Sequence, residues 1–420
     1  MNLLRFTWKN LRYRPLAMLL SLVLFSLGVG LISLLFLLED QLQDNFEKNL
    51  AGVDLVIGAK GSPLQMILSS MYHIDAPTGN IPISEIRPFL NPKHPLIESA
   101  LPISLGDSYR GFRIVGSSTE ILDWYEASIA EGEIWTKNFD VTLGAAVAGT
   151  LDMKIGDRFK SSHGFLDDED MAHDDVQDFV VRGILNRTGS VIDQLILTTP
   201  QTYWYVHEVS NEIDATNSDH VDHDHHSEVP LPLIEEEGSR DITNLLLRFR
   251  GHNFQALNMQ RSINENTDMQ AATPAIEINR LFALMDSGEK VLKILAYVIV
   301  LVSGLSIFIA LFSSLRERRY ELSLLRVMGA GKVRLFGMII LEGLFLAFIG
   351  YLIGTVLAHL GMEIIGRILS ADYRYSFTGI TFLTKELWLL AGALLIGLVA
   401  SFIPAQQAAQ TDIAETLSRG

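Results

Sequence analysis

Four long apolar runs, at residues 16–38, 291–315, 335–360 and 387–403, divide the chain. Leu16 to Leu38 carries no charge, and its length suffices to cross a hydrocarbon core of about 30 Å. It is too long for a typical signal-peptide core and no small-residue cleavage site follows it, so it reads as a retained membrane helix. Beyond it, Leu38, Leu42, Phe46 and Leu50 recur every four residues among Glu39, Asp40, Asp44 and Glu47. That spacing predicts an amphipathic stalk over 39–52, stopping at Ala51-Gly52. A matching helical pattern over 273–290, with Ile278, Leu281, Phe282, Leu284 and Met285, leads into the second run.

Residues 53–272 are patterned differently. Strand-like pieces at Leu96 to Leu105, Gly111 to Val115, Asp140 to Ala148, Phe179 to Leu185, Gln194 to Thr199 and Thr243 to Phe249 alternate with helical pieces around Ser118 to Glu126, Pro200 to His207 and Phe254 to Ile263. Val53 to Gly58 reads as a buried strand ending in a glycine turn. The following Gly58-Ala-Lys-Gly-Ser-Pro63 lacks the Gly-Lys-Ser/Thr ending of a phosphate loop, and Pro63 removes a donor, so a structural turn is expected. The expected fold is an α-helical membrane protein with four transmembrane helices and a large α+β extracytoplasmic domain inserted between helices one and two.

Charge orients this arrangement. The 420 residues carry a net charge of -16, with 48% hydrophobic residues and a mean hydropathy of +0.25. The acid excess lies in 39–290, while the segments flanking the apolar runs are basic. Arg5, Lys9, Arg12 and Arg14 precede the first run, and residues 316–334 separate the second and third. Basic short segments mark the cytoplasmic side. The N-terminal segment 1–15, the loop 316–334 and the tail 404–420 are therefore placed in the cytoplasm of a multi-pass membrane protein. The acidic domain and the loop 361–386, with Arg367, Asp372, Arg374 and the Tyr373/Tyr375 pair, are placed outside. The acidity excludes a nucleic-acid partner, and the absence of cysteine excludes disulfides and thiol chemistry.

Three groups of polar residues are candidates for chemistry. His220, Asp222, His223, Asp224, His225 and His226 form a tract that suits zinc or a similar divalent ion held loosely; the alternative is a solvated surface loop. His73 and Asp75 lie in a turn-rich segment, where they could ligate a cation or simply close a hydrogen-bonded loop. Glu342 falls inside the third apolar run, where a carboxylate either serves a proton or substrate or faces the bundle, a partner subunit or a wetter boundary. The acidic patch Asp167 to Asp175 reads as a solvated loop.

The most ordered polar pattern is Arg316-Glu-Arg-Arg-Tyr-Glu-Leu-Ser-Leu-Leu-Arg-Val-Met-Gly-Ala330. Leu315, Leu322, Leu325 and Met328 give it one apolar stripe against a charged face, and Gly329-Ala-Gly331 turns it into the next run. It resembles the Arg-Glu-Arg…Glu-(Ile/Leu)…Leu-(Arg/Lys)-(Ala/Val)-(Leu/Met)-Gly-Ala signature of the FtsX-like permease superfamily of ABC transporters, which includes macrolide-exporter and lipoprotein-releasing permeases. Pro404-Ala-Gln-Gln-Ala-Ala with Ile413 to Leu417 is similar to that family's C-terminal pattern, with Ile413 where proline is usual. Val56 to Pro63 with His73 to Asn80 resembles a bacterial subgroup of unspecified substrate.

The resemblance implies a dimeric permease, paired with a second copy or a homologous permease, moved by a separate cytoplasmic ATPase that binds ATP and magnesium. By that resemblance Arg316, Glu317, Arg318, Glu321, Leu324, Leu325, Arg326, Gly329 and Ala330 couple to the ATPase, and force passes through the stalks to the outer domain. No catalytic role is implied for this chain. Gly329-Ala-Gly331-Lys332 ends in Val333 and lacks the earlier glycine of an ATP-binding loop. A periplasmic binding protein and membrane lipid complete the expected partners. A different class also fits: a membrane-anchored signalling protein that controls a periplasmic partner, such as a cell-wall hydrolase, without moving solute. A catalytic outer domain is the least supported, since no serine elbow or His-Glu-x-x-His helix occurs.

Overall fold

The computed structural model describes residues 15–163, 178–206, 230, 232–236, 240–251, 254–372 and 377–410. The chain divides into two compact units, one made of Met1–Gln43 and Leu284–Gly420, the other of Asp44–Ala283. The histidine tract 220–228, the acidic patch 167–175, the N-terminal basic residues, the Tyr373/Tyr375 pair and the C-terminal Ile413–Leu417 lie outside the described residues.

Among the described residues, four helices are long and apolar enough to cross a membrane: α1 (Pro15–Asn49), α4 (Pro274–Glu317), α6 (Lys332–Asp372) and α7 (Thr384–Gln410). Two of them run further than hydropathy predicts. α6 extends through Gly361 to Asp372, so the first part of the expected loop 361–386 is helical. α7 passes through Pro404 to Gln410. Proline removes only one backbone hydrogen bond, and Pro404 is buried beside Ala405 and Ala408, where packing compensates.

The first unit is centred on a cluster of buried side chains from all four helices, among them Phe25, Val29, Val300, Leu346, Tyr351 and Ala400. Small residues let the backbones meet. A side chain on Gly30 would stand 2.9 Å from the Gly354 carbonyl oxygen, so α1 and α6 cross at a glycine pair.

The second unit is a mixed α/β domain. Its strands are β1 (Leu55–Ala59), β2 (Ile81–Pro82), β3 (Ile97–Tyr109), β4 (Phe112–Ser117), β5 (Ile129–Gly132), β6 (Asp140–Leu143), β7 (Arg158–Phe159), β8 (Ser162–His163), β9 (Phe179–Leu185), β10 (Ile196–Thr198), β11 (Asp241–Ile242), β12 (Asn244–Phe249) and β13 (Met269–Ala272). The main sheet runs β13-β1-β12-β3-β4-β10-β6-β9-β5, with β7 on β9 and β8 on β3, while β11 and β2 form a separate pair. Among the described strands, β10–β4 and β6–β9 pair in parallel and the others antiparallel.

Both faces of the sheet are covered, which accounts for the unbroken apolar runs in its central strands. Val56 and Leu246 point to one face, against Met66, Ile67 and Met71 of α2 (Pro63–Met71). Leu55, Ile57, Leu245 and Leu247 point to the other, with Ile263 of α3 (Phe254–Asn266). Ser62 caps α2, its hydroxyl accepting from the Gln65 amide at 3.4 Å with Pro63 in the first turn. The glycine-bounded stretch before Pro63 is thus a strand-to-helix turn. The predicted strand Asp140 to Ala148 is shorter: β6 ends at Leu143 and a helix runs Ala145–Leu151, because alanines after Gly144 favour a helix once the branched residues are spent. Likewise Val191–Gln194 is a single 3-10 turn before β10. α1 ends at Asn49, and Ala51 and Gly52 both take left-handed backbone angles, φ 47° and 66°.

Candidate functional site

The signature segment folds as two helices rather than one. α4 ends at Glu317, Arg318 leaves the helical region at φ -99°, ψ 12°, and α5 (Arg319–Val327) follows. Its stop is set by Gly329. The Ala330 amide donates to the Leu325 carbonyl and the Gly329 amide to the Arg326 carbonyl, both at 3.0 Å, with Gly329 at φ +100°. This is a Schellman cap, and only glycine takes that angle without strain.

One face of α5 is packed. Leu322 is buried and Leu325 partly so, against Leu315, Leu335, Met338, Ile339, Ala405 and Ala408. Arg318 lies 3.7 Å from Glu342 and 3.8 Å from Glu321. Glu342, only 1% exposed, thus faces the Arg318 guanidinium of its own chain. Arg316 stacks over Phe312 at 4.9 Å.

The opposite face differs from expectation. Met328 does not join the buried stripe; it is 75% exposed. Tyr320, Leu324 and Val327 are exposed with it, at spacings of four, three and one. A second apolar row thus faces outward beside the charged Glu317, Arg319 and Glu321, all exposed. Arg326 is half-buried, and Ala330 is half-buried beside exposed Gly329. The sequence reading found one stripe because it counted only the spacing of leucines with Met328, whereas a nine-residue helix on a protein surface has two usable faces.

A second polar cluster in the same unit escaped sequence reasoning. Glu386, in the first turn of α7, is fully buried. Ser33 of α1 donates to its Oε1 at 2.6 Å, His359 Nε2 of α6 stands 3.1 Å from the same atom, and the Leu383 amide reaches Oε2 at 3.3 Å. Nδ1 of His359 meets the Gly379 carbonyl, which can only accept, so that nitrogen carries a hydrogen. The contact between Nε2 and Oε1 then requires one further proton, on the ring or on the carboxyl. Nearby, Gln41 donates to the Thr378 carbonyl at 2.7 Å and accepts from its amide at 2.8 Å. A histidine one residue short of the expected end of the third run was the available signal.

In the second unit the structure separates the expected pair. His73 is buried and Asp75 exposed, both with left-handed backbones, φ 53° and 70°. The Asp75 carboxylate accepts from the Ala76 amide at 2.7 Å, and its carbonyl accepts from Arg113. Among the described residues no group of three or more His, Asp or Glu could hold a metal ion. Burial, reinforced by the Arg113 guanidinium, holds the His73 ring down to about 3, and burial lowers Arg113 itself to about 10. The unfolded chain takes up a proton on this ring near pH 6.5, whereas the folded protein does so only near pH 3. Stability contributed here is complete above pH 6.5 and falls by about 1.4 kcal/mol for each pH unit below it. His73→Asn, which tolerates the left-handed backbone, should flatten the pH dependence of amide-exchange protection in β1 and β12 between pH 6 and pH 4. An unchanged slope would show that His73 does not titrate this way.

Comparison with known proteins bears on the first unit. Residues 293–413 match the family profile "FtsX-like permease C-terminal". The chain is 31% identical over 134 residues to the "Macrolide export ATP-binding/permease protein MacB" of Nitrobacter winogradskyi, covering 32% of this chain and 20% of that protein. It is 28% identical over 124 residues to the protein of the same name from Agrobacterium fabrum, covering 30% and 18%. The match thus spans about a fifth of the length of these curated relatives. The crystal structure of the periplasmic region of MacB from Actinobacillus actinomycetemcomitans aligns with 56% of this chain and 97% of its own, at 13% identity and a TM-score of 0.32, too low to equate the folds. The segment 293–413, which contains α5, its Schellman cap and the Arg318–Glu342 pair, is therefore similar to the C-terminal domain of FtsX-like permeases.

Proposed function

We propose that this chain is the permease subunit of an ABC transporter, that α5 is the surface on which a separate cytoplasmic ATPase acts, and that the large domain lies on the periplasmic side of the inner membrane. The observation that carries the reading is the two-sided α5. One face is fixed to α6 and α7 through Leu322, Leu325 and the Arg318–Glu342 pair. The other presents Tyr320, Leu324, Val327 and Met328 without cover among the described residues. An apolar row rimmed by charge is the composition of a protein-binding patch. In this reading the ATP site lies on the ATPase: the relatives' printed name joins ATP binding to a permease, and residues 293–413 of this chain match the permease profile.

In this reading, ATP-driven closure of two ATPases moves α5, and the displacement passes through α4 and α1, whose helices continue beyond their apolar parts as stalks. Such coupling requires that the ATPase bind the two permease states with different affinity. The domain boundaries proposed are the cytoplasmic segment 316–334, its neighbouring spans and the outer domain 53–272. A dimer supplies the second α5 for the second ATPase. The histidine tract makes a divalent metal, zinc foremost, the first ligand to try on the outer domain.

The test is purification of the full chain with the ABC ATPase, followed by ATP turnover with and without zinc, peptides and lipoproteins. Stable co-purification and a ligand-dependent change in turnover are expected. An ATPase that neither binds nor responds would remove the reading.

A further inference from the structure

A groove of about 350 Å³ opens on the side of the first unit between α4 and α7, with α1 as its floor. The floor is Val29, Ile32 and Phe36; the walls are Val300 on one side and Leu389 and Ala393 on the other. The volume falls within the roughly 300–1,000 Å³ of small-ligand sites. Its inner end closes where Gly304 of α4 meets Ile396 of α7, a side chain on Gly304 being only 2.7 Å from the Ile396 methyl. Between Lys385 and Ile396 the groove runs about 16 Å at ~1.5 Å per residue. That is close to the hydrocarbon depth of one leaflet, half of about 30 Å.

The mouth has a different chemistry. Lys293 and Lys385 stand at 5.9 and 6.0 Å over the Phe36 ring. Lys293 pairs with Glu39 at 3.0 Å, and Lys385 reaches Glu39 at 3.9 Å and Asp40 at 3.7 Å. One turn deeper, Tyr297 and Trp388 flank the opening, 55% and 78% exposed, the residue types that gather at the level of lipid headgroups. Two lysines and two carboxylates cancel. An anionic headgroup would therefore gain little, while a headgroup bearing a phosphate and an ammonium can pair with both kinds.

From these observations we infer that the groove holds one acyl chain of a bilayer phospholipid with a zwitterionic, ammonium-bearing headgroup, its phosphate at Lys293 and Lys385 and its ammonium at Glu39 and Asp40. The inference rests on the membrane-spanning reading of the four helices and is independent of the ATPase. The lipid tail fills a gap that side chains leave between α4 and α7, and its headgroup bridges these two helices and α1.

The full chain is reconstituted in vesicles of phosphatidylethanolamine and phosphatidylglycerol containing a trace of either lipid with a diazirine at the end of one acyl chain. After irradiation, adducts from the phosphatidylethanolamine probe are expected at Val29, Val300 and Ala393 about fivefold above exposed Leu352 and Val356 of α6, a difference of about 1 kcal/mol in local occupancy. A side chain at Gly392 meets nothing within 4 Å, so Gly392→Phe fills the groove without displacing a neighbour and should remove that excess. Glu39→Gln with Asp40→Asn should shift the preference towards the phosphatidylglycerol probe. Even labelling over the helices, or labelling that survives Gly392→Phe, would overturn the inference. So would a disulfide joining two Gly392→Cys chains, since the chain has no other cysteine and the groove would then belong to a second copy. A chain that alkaline carbonate strips from vesicles would sink the membrane reading itself, whereas an integrated chain with even labelling sinks only the groove.

Discussion

Replacing Leu324 and Val327 together by glutamate is expected to weaken ATPase binding by at least about a hundredfold and to abolish ligand-dependent turnover. Both side chains are exposed, at 40% and 60%, and neither contributes to the buried cluster beneath α5, so the permease should fold and insert as before. In a docked complex, however, each carboxylate would be desolvated without a partner. That costs roughly 2–3 kcal/mol apiece, and about 2.7 kcal/mol already corresponds to a hundredfold in affinity. Truncation to alanine removes only apolar contact and should cost less, about 1–2 kcal/mol per residue. Binding measured with purified components checks both. Glu321→Gln, on the charged rim, should alter salt dependence more than affinity. If the double glutamate variant bound normally, the outward row would have no part in coupling.

Glu386→Ala is expected to destabilise the first unit by about 3–5 kcal/mol, the scale seen when one partner of a buried polar pair is removed. Three groups converge on this carboxylate: the Ser33 hydroxyl and the Leu383 amide as donors, and the His359 ring nitrogen. All three would lose their partner inside the protein, and Ser33 is itself fully buried. Glu386→Gln should be milder without being neutral. A glutamine oxygen in the place of Oε1 still accepts from Ser33 beside His359 Nε2, but its NH2 group then faces the Leu383 amide, which loses its acceptor. Thermal unfolding of the detergent-solubilised chain separates these outcomes. Equal losses for Ala and Gln would mean that the charge, and not the hydrogen-bond pattern, holds the cluster. An absence of loss in both would mean that the cluster does not tie α1, α6 and α7 together.

The large features were legible in the sequence because they rest on long periodicities. Runs without charge gave the four apolar helices, and the shift to shorter apolar pieces marked the α/β domain. Local chemistry was legible where one residue dictates one geometry. Gly329 was expected to end a helix and does so in a left-handed cap; Ser62-Pro63 was expected to be a turn and begins α2. The misses share a cause. Whether Met328 faces in or out depends on what packs beneath α5, and Ala405 and Ala408, which do so, are some eighty residues away. The Ser33–His359–Glu386 cluster joins three helices distant in sequence. Asp75 and His73 are two residues apart, each with a left-handed backbone, yet one is exposed and the other buried. Spacing along the chain carries no information about such partners.

The most direct measurement concerns α5 itself. Since the chain has no cysteine, Val327→Cys can be labelled uniquely with a maleimide photo-crosslinker in vesicles together with the purified ATPase. Irradiation should join the two proteins in high yield, the yield should change between nucleotide-free and ATP-bound states, and the same label at Leu352 in α6 should give no such product. A Val327 label that never reaches the ATPase, or one whose yield matches Leu352 and ignores nucleotide, would contradict the assignment of α5 as the surface that the ATPase moves.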